Sequence, residues 1–155
     1  MAVVGPVFLD TTVLLAGTID LGPQSRAAQT ILDAVADGRI PEPITAWHCV
    51  LEFYSVSTRL PEDLRLSVEQ AGQLVRSEIM SRIRIKSLPS TARTRLFELV
   101  VREGVAGGRV YDAHISEIAH SARASVLVTD NPRHFKPLLH RTMEIVTAAE
   151  LAARL

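Results

Sequence analysis

Residues 112–132 read DAHISEIAHSARASVLVTDNP. Between Asp112 and Arg123, Ile115, Ile118 and Ala119 recur at helical spacing, and Ser125 to Thr129 follows as a short apolar run. A helix feeding an apolar strand is the unit of a parallel sheet. Strands covered on both faces lose the apolar–polar alternation that a half-exposed strand keeps. Asp130-Asn131-Pro132 then supplies the turn signal that stops the strand.

The same alternation extends outward from this stretch. Toward the start, Val7-Phe8-Leu9 is a short strand ending at Asp10. Gln24 to Asp37 is a helix on Ala28, Ile31, Leu32 and Val35, with Gly38 at its stop. Pro41 to Thr45 reads as a second strand kept short by its prolines, and Trp47 to Arg59 as a helix ended by Pro61. Leu66 to Arg82 carries Val68, Ala71, Leu74, Val75 and Ile79 on one helical face; residues Leu60 to Ser81 either pack on the sheet or project as a helical arm. Ile83, Ile85 and Leu88 mark a third strand. The interleaved Arg82, Arg84 and Lys86 read as a solvated edge, with RNA contact as the alternative. A helix from Ser90 to Arg102 closes at Gly104, and Gly107-Gly108 make a flexible turn before Asp112 opens the next helix. Ile145-Val146 is a last strand before a small C-terminal helix. The expectation is an α/β fold in three layers: a central parallel sheet, helices on both faces, right-handed crossovers, and one domain over residues 1–155.

Composition narrows the function. Apolar residues make up 47% of the chain and the formal net charge is zero, so a core can form and disorder is not expected. Zero net charge also means that a nucleic-acid partner must be held by local patches rather than by bulk attraction. No apolar run is long enough to span a bilayer, and Met1 to Asp10 has no positively charged n-region. The single cysteine, Cys49, sits among Trp47, Val50 and Leu51 and reads as a buried small hydrophobe. One unpaired cysteine suits a reducing, cytoplasmic setting.

An open parallel sheet binds ligands at the carboxyl ends of its strands. Asp10 and the Asp130-Asn131 pair directly follow strands, Glu52 lies in the helix after the second strand, and Asp112 opens a long helix. Each acid has apolar neighbours, and acids seldom occupy such settings unless paired or bound to a cation. Taken singly, Asp10 and Asp112 are equally well explained as helix caps, Glu52 as a solvated helix residue and Asp130 as a turn residue. Together they point to a hard divalent cation. Mg²⁺ or Mn²⁺ favours carboxylate and water oxygens, whereas the sequence lacks the Cys or His spacing that zinc needs. Such an ion activates water and neutralises charge on a phosphodiester. No pair of histidines is placed for acid–base work; His114, two residues after Asp112, is expected to face away as a structural or surface residue. His134, beside Arg133 and Lys136, either touches phosphate or is an ordinary basic loop residue.

Four stretches in this order resemble the PIN-domain nucleases, and among them the VapC toxins of toxin–antitoxin pairs. They are Phe8-Leu9-Asp10-Thr11-Thr12-Val13-Leu14-Leu15, Val50-Leu51-Glu52-Phe53, Tyr111-Asp112-Ala113-His114-Ile115, and Val128-Thr129-Asp130-Asn131-Pro132-Arg133-His134-Phe135. The resemblance implies a PIN-like fold and a metal-dependent endoribonuclease. Asp10, Glu52 and Asp112 would be its metal-site acids, and Thr12 and Thr129 small polar residues supporting them. At the fourth position the family register falls on Asn131, whereas charge favours Asp130; neighbouring residues leaving a strand point to opposite sides. The resemblance also implies an RNA substrate, a VapB-type antitoxin and a homodimer. The apolar set Leu51, Phe53, Tyr54 and Val56 is wide for one core-facing stripe, which suits either a dimer face or a helix buried on both sides. Two other functions compete. A receiver-like signalling domain needs a neighbouring acid pair after the first strand, but Thr11 and Thr12 stand there. A PIN-like module that only binds RNA or protein would account for a missing fourth acid.

Overall fold

The computed structural model describes residues 3–135 and 142–155; Met1, Ala2 and Lys136, used in the sequence reading, lie outside them. The chain runs β1 (Val7–Leu9), α1 (Thr11–Thr18), α2 (Ser25–Ala36), β2 (Pro43–Ala46), α3 (Trp47–Ser57) and α4 (Val68–Leu74), which continues as a π-helical segment (Val75–Met80). Then come β3 (Arg84–Lys86), α5 (Ser90–Arg102), α6 (Arg109–Ser121), β4 (Val126–Val128), α7 (Pro132–Phe135), β5 (Glu144–Val146) and α8 (Ala148–Ala152).

The five strands form one sheet in the order β3-β2-β1-β4-β5, and every neighbouring pair is parallel. All three residues of β1 and of β4 are buried. Successive strand residues point to opposite faces, so complete burial means that helices cover both. From β1 the chain builds outward through β2 to β3, then returns to the other side of β1 for β4 and β5. The reversal lies between β1 and β4, and it opens a crevice beyond their carboxyl ends. Asp10 and Thr129 are the first residues past those two strands.

α1 is buried nearly all round, which explains why its sequence carries no amphipathic period. It lies close against α2 because Gly17 has no Cβ; one placed there would meet the Leu32 side chain at 2.5 Å and the Ala28 carbonyl oxygen at 3.0 Å. The edge strands are short. On β3, Arg84 is exposed and Lys86 half-buried, while Arg82 just before it pairs with Glu78. This is a charged, solvated edge that discourages pairing with another chain.

Three local expectations need correction. Residues 66–82 are not one α-helix: α4 starts at Val68, capped by a reciprocal Ser67–Gln70 box, and passes into the π-helical segment. Nor do they project as an arm. Ala71 and Ile79 are buried, both segments pack on α3, and the Leu66 amide bonds the Ser57 carbonyl at 3.0 Å. α6 opens at Arg109 rather than Asp112, because Gly107 takes a left-handed φ of +60° and turns the chain directly into the helix.

Candidate active site

Asp10 stands at the crevice. Its amide extends the β1 ladder to the Val128 carbonyl at 3.0 Å, which turns its side chain to the end of β4. It occupies the N-cap position of α1, yet its carboxylate makes no capping bond. Instead Oδ2 accepts from the Thr129 hydroxyl at 2.8 Å and from the Thr12 hydroxyl at 3.5 Å, and Oδ1 lies 4.0 Å from the Cys49 thiol. The Thr12 hydroxyl in turn accepts from the Asp130 amide at 3.1 Å, and Thr129 Oγ1 from the Asn131 amide at 3.1 Å. The two threonines therefore tie the turn after β4 to the carboxylate after β1.

Asp10 is only 5% exposed, and the donors around it are neutral. Burial pushes its pKa up to about 6. The Thr129 hydrogen bond and the Thr11 backbone oppose this, while the negative charges of Glu52 and Asp112 add to it. Asp112, half-buried in the first turn of α6, is also raised, chiefly by burial and partly by Glu52; His134, 3.5 Å away, and Arg109 pull the other way. Glu52 is lowered because His48, one helical turn earlier on α3, bonds it at 3.2 Å. Three acids from β1, α3 and α6 thus act on one another across the crevice. Asp130 and Asn131 follow β4 with both side chains exposed.

Cys49 is fully buried beside Asp10, and its thiol is pushed up to about 12 by burial and by that carboxylate. It stays a thiol and packs as an apolar group.

His114, expected as a structural or surface residue, packs against His48. It is half-buried and meets His48 edge-on, with centroids 5.7 Å apart, so it belongs to the wall beside the acids. Burial, His48 and Arg93 lower its pKa. The wall has two further members that sequence reasoning passed over. His48 stacks on Tyr111 at 5.4 Å with an interplanar angle of 22°. The spacing of His48 and Glu52 at i and i+4 was the available signal; nothing local announced Tyr111 as its partner.

A hard divalent cation suits this donor set. A buried carboxylate surrounded by neutral donors and two further acids lacks the positive charge that normally accompanies it. The Thr11 hydroxyl, buried at the same helix start, also acts on Glu52 and on the Cys49 thiol. Among the described residues no group of three or more His, Cys, Asp or Glu side chains lies close enough together to hold a metal ion. The acids face one another across the crevice without a preformed cage, so a bound ion would have to keep several of its waters, as Mg²⁺ can.

Comparison with known proteins places these residues in context. A family model described as a PIN domain matches residues 6–133. Ribonuclease VapC27 of Mycobacterium tuberculosis is 34% identical over 83 residues, which is 54% of this chain and 58% of that protein. The match therefore spans little more than half of that relative's length. The crystal structure of Mycobacterium tuberculosis VapC20, a sarcin-ricin loop cleaving toxin, superposes with a TM-score of 0.59 at 14% identity, over 78% of this chain and 86% of the other. FitAB bound to an IR36 DNA fragment gives a TM-score of 0.61 at 14% identity, over 92% and 95% of the two chains. At such identities the likeness is one of fold.

Proposed function

Because the chain belongs to the PIN-domain family, matched over residues 6–133, we propose that it is a metal-dependent endoribonuclease of the VapC toxin type. The carrying observation is the convergence of Asp10, Glu52 and Asp112 at the β1–β4 switch point, with Asp10 buried among neutral donors. These acids would hold Mg²⁺ or Mn²⁺, and the bound ion would supply an activated water and offset charge developing on a phosphodiester. Thr129 and Thr12 orient the Asp10 carboxylate, and His48 holds Glu52 on the rim of the crevice. The fourth group is Asp130, whose carboxylate offers a cation more than the Asn131 amide does. Cleavage of a labelled RNA mixture is expected with Mg²⁺ or Mn²⁺ and is expected to vanish in EDTA. In the same assay Asp130→Asn should demand more Mg²⁺ for half-maximal rate than Asn131→Ala; the reverse order would assign the position to Asn131. A protein that retains RNA but never cuts it under any of these conditions would be the binding module instead. The open arrangement of the acids is the one observation favouring that second reading.

The proposed setting is the cytoplasm; no helix among the described residues is long and apolar enough to cross a membrane. The proposed partners are a VapB-type antitoxin and a second copy of the chain. Of the apolar set on α3, Phe53 is fully buried and Val56 half-buried, but Leu51 and Tyr54 are exposed. A helix buried on both sides within one chain would not leave them so; of the two, Leu51 lines a cleft beside the acids, and Tyr54 is the one offered to a second copy. Light scattering at micromolar concentration should give twice the 17.0 kDa chain mass; a monomer there would remove the dimer from the proposal.

A further inference from the structure

Beside the three acids lies a cleft of about 540 Å³ whose lining includes Trp47, His48, Ser87, Arg93, Tyr111 and His114. Trp47 is 45% exposed and Tyr111 58% exposed, so two large aromatic rings face water there. Tyr111 is braced by the stacked His48, and His48 by the edge of His114. The Tyr111 ring therefore presents itself with little freedom left to lose. Around them Ser87, Arg93 and His114 bring hydroxyl, guanidinium and imidazole groups into an otherwise apolar hollow. Flat aromatic faces with a few converging polar groups suit a planar heterocycle, for which stacking supplies affinity and the polar edge supplies selection. The cleft borders the acids through two of its lining residues: His48 bonds Glu52 at 3.2 Å, and Tyr111 precedes Asp112 in α6.

The geometry points to this cleft as the site for one unstacked nucleobase of a single-stranded RNA whose neighbouring phosphate lies at the acids. The inference rests on the nuclease reading and adds where the strand is gripped. Single strands are recognised in this way, by bases splayed onto aromatic rings and read along their edges. Protein interfaces favour Trp, Tyr and Arg as well; what favours a nucleobase here is the neighbouring acid site, which His48 of the lining reaches through its bond to Glu52.

Trp47 is the single tryptophan of the chain, so its fluorescence reports on the cleft alone. The Asp10→Asn variant is titrated with the four homotrinucleotides of RNA and with a trinucleotide lacking bases. Saturable quenching is expected with at least one homotrinucleotide and not with the abasic one. Tyr111→Leu and His114→Ala, in the same background, should each weaken the quenching ligand about tenfold. Equal quenching by the abasic trinucleotide, quenching by none, or a Trp47 emission shift that follows protein concentration alone would overturn the inference; the last would mean that a second chain covers the cleft. Cleavage by the wild-type protein, assayed separately, keeps the two readings apart. Cleavage without quenching removes the base site only, and quenching without cleavage removes the nuclease only.

Discussion

Asp112→Ala is expected to leave the chain folded and to lower RNA cleavage by on the order of a thousandfold. The fold should survive because Asp112 is a half-buried polar residue in the first turn of α6. That helix is anchored by Ala113, Ile115 and Ile118, all buried, and alanine is the best helix former. The interaction lost with His134 spans 3.5 Å between partly exposed groups and stabilises little. The chemical loss should be large because Asp112 is one of the three acids that act on one another across the crevice, and losing one carboxylate of the set greatly weakens its hold on a divalent ion. Circular dichroism and a urea melt establish the fold, and initial rates on labelled RNA establish the loss. A well-folded Asp112→Ala protein cutting at the wild-type rate would end the metal-site assignment.

The second expectation has the opposite sign: Asp10→Asn should stabilise the metal-free protein. Burial carries Asp10 from an ordinary 3.8 to about 6. A carboxyl whose pKa is higher folded than unfolded favours folding fully below the unfolded value, and loses that contribution as pH rises through the folded one. The wild-type chain should therefore lose stability between pH of about 4 and 6. At pH 7 the loss is on the order of 3 kcal/mol, the free energy of carrying that buried charge. Asparagine keeps an acceptor oxygen for Thr129 and Thr12 and carries no charge. In EDTA the variant should be the more stable protein at pH 7, with the advantage fading toward pH 4. Mg²⁺ should raise the wild-type melt and leave that of the variant unmoved. A variant less stable than wild type at pH 7, or an advantage that does not change with pH, would contradict this account.

Much of the scaffold was legible because its signals are local. Val7-Phe8-Leu9 and Val126-Leu127-Val128 are apolar throughout, and residues buried on both faces must be so in any parallel sheet. An acid at the end of such a strand is conspicuous, which brought Asp10 into view. Other features depend on what packs against a segment. The helix Thr11–Thr18 has apolar residues on every side and so no period to detect. The passage from α to π geometry at Val75 leaves no mark in residue type. His114 was expected to face away from Asp112, and within α6 alone that argument is sound. Its neighbour His48, however, comes from α3, and the shared wall exists only once the two helices meet. The exposed Asp130 and Asn131 remain the least legible residues, since a turn signal and a ligand signal use the same residue types.

The hydroxyl that grips Asp10 comes from a residue 119 positions later in the chain. On the ribosome, Asp10 and Glu52 emerge well before Val126, and until β4 follows, β1 has no partner on that side and Asp10 has no Thr129 to orient it. Contacts at that separation form late, after the local helices. A nascent chain thus carries Asp10 for most of its synthesis without the strand that aligns it. If the chain cuts RNA as proposed, the translation machinery making it would be spared until β4 had been made.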